Sequence, residues 1–141
     1  GNDILFGGLG TDTFVISDIE TNGSDQFFSF TTSTDAAAVA QGRDTLQFST
    51  ADLKAVAGFT AADVGAALTG SDGTKVAFVE GAGAVSADAV ATFVYDDTTG
   101  VLSFDADGTG AGAAINVGTF YSDSGSTLIT DILAADFNFI A

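Results

Sequence analysis

"GNDILFGGLGTDTFVIS" (Gly1–Ser17) decides how the rest of the chain is read. Its core, "GGLGTDTFV" from Gly7 to Val15, fits the pattern G-G-x-G-x-D-x-U-x at every fixed position, with U a large apolar residue. Gly1 to Phe6 supplies the last six positions of a preceding copy. Gly1, Asp3 and Leu5 thus return nine residues later as Gly10, Asp12 and Phe14. Gly7, Gly8 and Gly10 permit backbone angles closed to residues with a Cβ. A turn built on them can point several carbonyl oxygens inward, and Asp12 adds a carboxylate at its end. Phe14 then falls in a short strand facing a core. The competing reading is a glycine-rich hairpin, with "FGGLGTD" joining two paired strands. It accounts for the glycines but not for the phase of Asp3 with Asp12 and of Leu5 with Phe14.

Composition narrows the partners. The 141 residues suit one domain. Apolar residues make up 46%, and 13 of the aromatics are Phe, so a sizeable core is expected. The formal charge is −16, and all the acids but Glu20 and Glu80 are Asp. Asp at this excess suits turns, caps and oxygen ligands for hard cations. Such charge opposes compaction, and bound Ca²⁺ would relieve it. Nucleic acid is a poor partner, because the three cations Arg43, Lys54 and Lys75 displace few phosphate counterions. An anionic membrane surface is disfavoured for the same reason. No apolar run approaches the ~20 residues of a spanning helix. Nor does a basic-then-apolar leader open the sequence.

Catalysis is not expected. The chain has no Cys and no His, so Ser-His-Asp and Cys-His nucleophiles are excluded within it. A zinc site of thiolate and imidazole is equally excluded. Paired carboxylates could serve glycoside hydrolysis, but no Trp platform for sugar accompanies them. The glycine-rich opening is followed by no Lys-Ser or Lys-Thr, so it is not a phosphate loop.

The opening nonapeptide resembles the RTX (repeats-in-toxin, haemolysin-type) repeat. The resemblance implies a parallel β-roll in which Ca²⁺ lies between successive turns on each edge. It places Asp3 and Asp12 on opposite edges, with Gly8 and Gly10 contributing to the Asp12 turn. Complete sites take ligands from repeats two apart. The opening therefore offers half-sites, to be closed by residues just downstream or by upstream repeats of a parent chain. The stretch from Val15 to Ser49 resembles the strand-loop-strand segment that closes such a roll. Gly23, Asp25, Phe27 and Phe30 are followed there by Asp44, Leu46 and Phe48. Ser29 stands where the family tends to have Asp, which puts that ligand in doubt.

Further along, Thr45–Ser49 alternates as a half-buried strand. "STADLKAVAGF" reads as a short helix capped by Thr50 and ended by Gly58. "TAADVGAAL" reads as a second helix, with Thr60 and Asp63 spaced as a capping box. A turn at Ser71–Gly73 and a strand from Lys75 to Val79 follow. "ATFVYDDTTGVLSFDADGTG" is a hairpin: Phe93 and Tyr95 lie on one strand, Asp97–Gly100 form the turn, and Leu102 and Phe104 lie on the return. It resembles a segment near the end of many RTX proteins. Within it, Asp105 and Asp107 are spaced like the first ligands of a Ca²⁺ loop. An Asx-type turn explains the same spacing without metal, and Thr109 and Asn116 exclude an EF-hand. "AADFNFIA" resembles the uncleaved carboxy-terminal signal of type I secretion. It also reads simply as a final strand packing Phe137 and Phe139.

The expectation is a mainly β fold: residues 1–18 as the last coils of a parallel β-roll, running into a β-sandwich-like cap over 19–141 with a few short helices. The expected function is a secreted, extracellular Ca²⁺-binding module that folds on Ca²⁺ after type I export and caps the roll. Asp3, Gly8, Gly10, Asp12, Asp25, Asp44, Asp105 and Asp107 are the candidate metal residues. The expected partners are the type I secretion machinery and upstream repeats. The alternative is a module that anchors to a cell surface or self-associates through Ca²⁺, as in a surface-layer protein or adhesin.

Overall fold

The computed structural model describes residues 1–35, 40, 42–57, 68–69, 75–123, 125 and 127–140. The chain is mainly β, with parallel and mixed sheets. Its first four strands are β1 (Ile4–Phe6), β2 (Thr13–Ile16), β3 (Asp25–Phe28) and β4 (Thr45–Ser49). They do not form hairpins. β1 pairs in parallel with β3, and β2 pairs in parallel with β4, in a different sheet. The chain therefore alternates between two sheets, which overturns the hairpin reading of "FGGLGTD". Residues 7–12, 29–31 and 42–44 lie at one end of the strands, and 17–24 lie at the other.

Among the described residues the one α-helix, α1 (Thr50–Ala57), follows β4 directly, and a short 3-10 turn of helix spans Ala134–Asp136. Thr50 was expected as its cap, but Ser49 takes that part: the Asp52 N–H donates to its Oγ at 3.3 Å. The Thr50 hydroxyl instead donates to the Ile140 carbonyl at 3.0 Å. Residues 60–67 of the expected second helix, the turn at 71–73 and most of "DAAAVA" lie outside the described residues. Leu68, expected to end that helix, is in a strand instead, paired with Val76.

The remaining strands are β5 (Leu68–Thr69), β6 (Lys75–Gly81), β7 (Thr92–Asp96), β8 (Val101–Asp105), β9 (Ile115–Phe120) and β10 (Phe137–Ile140). The larger sheet has the order β1-β3-β9-β8-β7-β6-β5, and the smaller one β10-β4-β2. β7 and β8 form the expected antiparallel hairpin, with Phe93 opposite Phe104 and Tyr95 opposite Leu102. β10 joins β4 in parallel, on the side away from β2.

The two sheets meet through Phe. Phe48 of the smaller sheet packs on Phe93 of the larger, with ring centroids 4.8 Å apart. Phe14 meets Phe27 edge-on at 5.4 Å, and Phe27 stacks on Phe120 at 4.5 Å. Alternation in sequence sets which residues face in: Phe14 and Ile16 on β2, and Leu46 and Phe48 on β4, are buried. Tyr95 is buried among them, and its hydroxyl donates to the Ile129 carbonyl at 2.6 Å. Burial pushes the pKa of that phenol up, with the charges of Asp131 and Asp97 adding to the effect. The bond anchors the segment that leads into β10.

Candidate functional site

An Asp stands immediately before each strand of the alternating set: Asp3 before β1, Asp12 before β2, Asp44 before β4, with Asp25 as the first residue of β3. Parallel pairing brings them together two by two. The Asp3 N–H donates to Asp25 Oδ1 at 2.9 Å. The Asp12 N–H donates to Asp44 Oδ1 at 2.8 Å. The RTX resemblance implies opposite edges for Asp3 and Asp12, and the topology sets them at opposite ends of the strands. Each finds its neighbour downstream within this chain.

The Asp12 end is the richer one. Gly8 and Gly10 hold φ values of 90° and 112°, in the region that favours glycine. Ser29, a non-glycine, is held at φ 56°. Its N–H donates to the Asp123 carbonyl at 3.1 Å. A Cβ placed on Gly7 would stand 3.1 Å from Asp12 Oδ2 and 3.2 Å from the Ser29 carbonyl oxygen, so both oxygens converge there. Asp12 Oδ2 is buried and accepts no hydrogen bond. The same glycine turn borders a cavity of about 220 Å³ lined by Gly8, Leu9, Gly10, Ser29, Thr31, Gly42 and Ser122. Gly42, at φ 128°, closes it: a Cβ there would collide with the Gly10 backbone.

Asp44 has a different task. It is fully buried. Its second oxygen accepts the Thr31 N–H at 2.8 Å. Burial raises its pKa; the two N–H donors oppose that, and the negative charge of Asp12 adds to it. Asp12 and Asp44 are thus close enough to repel. Asp25, nearly as buried, likewise accepts the Asn22 side-chain amide at 2.7 Å on its second oxygen. The expected ligands Asp25 and Asp44 therefore act as acceptors that tie the start of β3 to β1 and the start of β4 to β2.

Replacing Asp44 by Asn turns an amide NH₂ toward one of two part-buried N–H donors. The Asp44→Asn variant is expected to lose about 1–3 kcal/mol of stability. Urea midpoints measure it, and equal midpoints would remove this role from Asp44.

The sequence missed a third member. Asp136 precedes β10 as Asp44 precedes β4, and it is fully buried. Its oxygens accept the Ser33 N–H at 2.7 Å and the Leu133 N–H at 2.9 Å. The signal was present: an Asp directly ahead of an alternating apolar strand, as at Asp12 and Asp44.

Asp105 and Asp107 are not used together. Asp105 Oδ2 accepts the Ser86 hydroxyl at 2.7 Å, whereas Asp107 Oδ2 accepts the Gly112 N–H at 2.9 Å, closing its own turn. Among the described residues no three acidic side chains converge as a metal group. A cation at the Asp12 end would rest on one carboxylate and on backbone carbonyls, a donor set that suits a hard ion. Compared with protein-family models, with curated proteins and with solved structures, the chain matches none.

Proposed function

We propose that this chain is a Ca²⁺-binding module of the RTX kind: the last coils of a parallel β-roll running into a sandwich-like cap. Asp12 carries the reading. Its Oδ2 is a buried, unpartnered carboxylate oxygen facing the Ser29 carbonyl across Gly7, at a glycine turn. Such an oxygen is costly without a donor or a cation. Nearby, the negative charges of Asp12 and Asp44 repel, which favours a cation over a neutral hydrogen-bond donor. Ca²⁺, which takes carboxylate, carbonyl and water oxygens, fits this donor set.

In this reading the charge of −16 keeps the chain loose where Ca²⁺ is scarce. The module passes a type I exporter unfolded and folds outside. There Ca²⁺ meets the affinity of about 10⁻⁴–10⁻³ M usual for extracellular modules. Each site held at ten times its dissociation constant adds about 1.4 kcal/mol to the folded state. The open edges of β1 and β2 support a stacking partner: Ile4 and Phe6 are 64% and 60% exposed there, and Val15 is also exposed. A preceding coil would cover them.

Ca²⁺ is expected to raise the melting temperature of the chain, and a chelator to lower it. The Asp12→Asn variant is expected to lose part of that response. Identical calorimetric melts with Ca²⁺ and with chelator would sink the reading.

A further inference from the structure

We propose a second site for a hard divalent cation, on the outer face of the seven-stranded sheet, built on Asp105 and the segment from Ser86 to Val90. Asp105 ends β8 and is the register partner of Thr92 at the start of β7. Opposed residues of an antiparallel pair share a face. Phe93 and Phe104, one position inward, face the core, so Asp105 and Thr92 face away from it. Yet they are only 9% and 1% exposed. The connection from β6 to β7 covers them. The Ser86 hydroxyl reaches Asp105 Oδ2 at 2.7 Å, and the Thr92 hydroxyl donates to the Val90 carbonyl at 2.8 Å.

The two segments that meet there carry oxygens with spare acceptor capacity. Asp105 Oδ1 is buried and accepts no hydrogen bond. The Asp88 and Val90 carbonyls both press on Gly108, three residues after Asp105. A Cβ there would overlap the first and stand 2.6 Å from the second. Gly108 holds φ 64°, the conformation that lets the two segments approach this closely. The Asp88 carbonyl accepts the Thr109 N–H at 3.0 Å, and the Val90 carbonyl accepts Thr92 Oγ1, which leaves each a second lone pair. An Asx turn accounts for Asp107, through its bond to Gly112, but not for a buried Asp105 with a bare oxygen. One carboxylate with carbonyl, hydroxyl and water oxygens describes a weak Ca²⁺ site. The residues are separate from those at the Asp12 end, so the two sites stand or fall independently.

The test is a titration of the whole chain with CaCl₂, followed by amide NMR. The amides of residues 86–90 and 105–109 are expected to shift and saturate at about 10⁻⁴–10⁻³ M Ca²⁺, with a midpoint of their own. Asp105→Asn should abolish those shifts and spare those of residues 7–12; Asp12→Asn should do the converse. If residues 86–90 and 105–109 stay unmoved up to about 10 mM Ca²⁺, ten times the weak end of that range, the Asp105 site is overturned. That holds even where residues 7–12 respond, an outcome that keeps the Asp12 reading and assigns Asp105 Oδ1 to water. Shifts that persist in a folded Asp105→Asn variant overturn it as well. Should that variant not fold, the titration of the unmodified chain decides the matter alone.

Discussion

Phe93→Ala is expected to cost about 3–5 kcal/mol of stability and to lower the melting temperature by roughly 10–20 °C. Phe93 is fully buried at the centre of the molecule. Its ring lies 4.8 Å from Phe48, 4.9 Å from Phe104 and 5.3 Å from Phe137. Those three come from β4, β8 and β10, so one side chain joins the smaller sheet to the larger. Truncation removes its own transfer free energy and also leaves a space that strands on two sheets cannot jointly collapse into. The comparison is Phe28→Ala. Phe28 sits half-buried on the outer face, stacked between Phe6 and Tyr121 at 5.1 and 4.6 Å. With one side in water it should cost about 1 kcal/mol, the scale of an aromatic pair. Equilibrium denaturation of both variants measures the difference. Equal losses would mean that the sheets are not held together at Phe93.

Much of this was legible, for identifiable reasons. The hairpin of β7 and β8 is local: its alternation and its turn lie within a few residues, so Phe93, Tyr95, Leu102 and Phe104 could be placed on their strands by inspection. The strand Thr45–Ser49 and the final strand were legible on the same grounds. The RTX resemblance implied that Asp3 and Asp12 fall on opposite edges, and the alternation of β1 to β4 between sheets puts them at opposite ends of the strands. What periodicity could not show was partnership across long separations. Asp12 meets Asp44 across 32 residues, and Asp136 meets Ser33 across 103. No spacing rule announces either. The reading of Asp25 and Asp44 as ligands alone also missed that a buried carboxylate can be spent on backbone N–H groups. In the same way, spacing joined Asp105 to Asp107, whereas burial separates them: a turn claims Asp107, and the segment from Ser86 to Val90 claims Asp105.

Removing Asp136–Ala141 is expected to prevent folding. The deletion takes away Phe137 and Phe139, both buried. At about 3–5 kcal/mol for each Phe, the loss rivals the total stability of an ordinary domain, about 5–15 kcal/mol. It also strips the parallel pairing of residues 137–140 with 46–49 and turns β4, a central strand, into an edge. The Ser33 and Leu133 N–H groups lose the Asp136 carboxylate at the same time. Lost near-UV dichroism and collapsed amide dispersion would register the outcome; a cooperative melt in the truncated chain would contradict it. The same six residues are proposed to carry the export signal, so the deletion alone confounds two roles. A Phe48→Ala, Phe93→Ala double variant separates them. It keeps residues 136–141 unchanged while removing the two rings that Phe137 and Phe139 pack against, so folding should fail. Export should persist, because a signal read on an unfolded chain does not need the packed strand. If export fails together with folding, the terminal strand acts through the fold and the signal lies elsewhere.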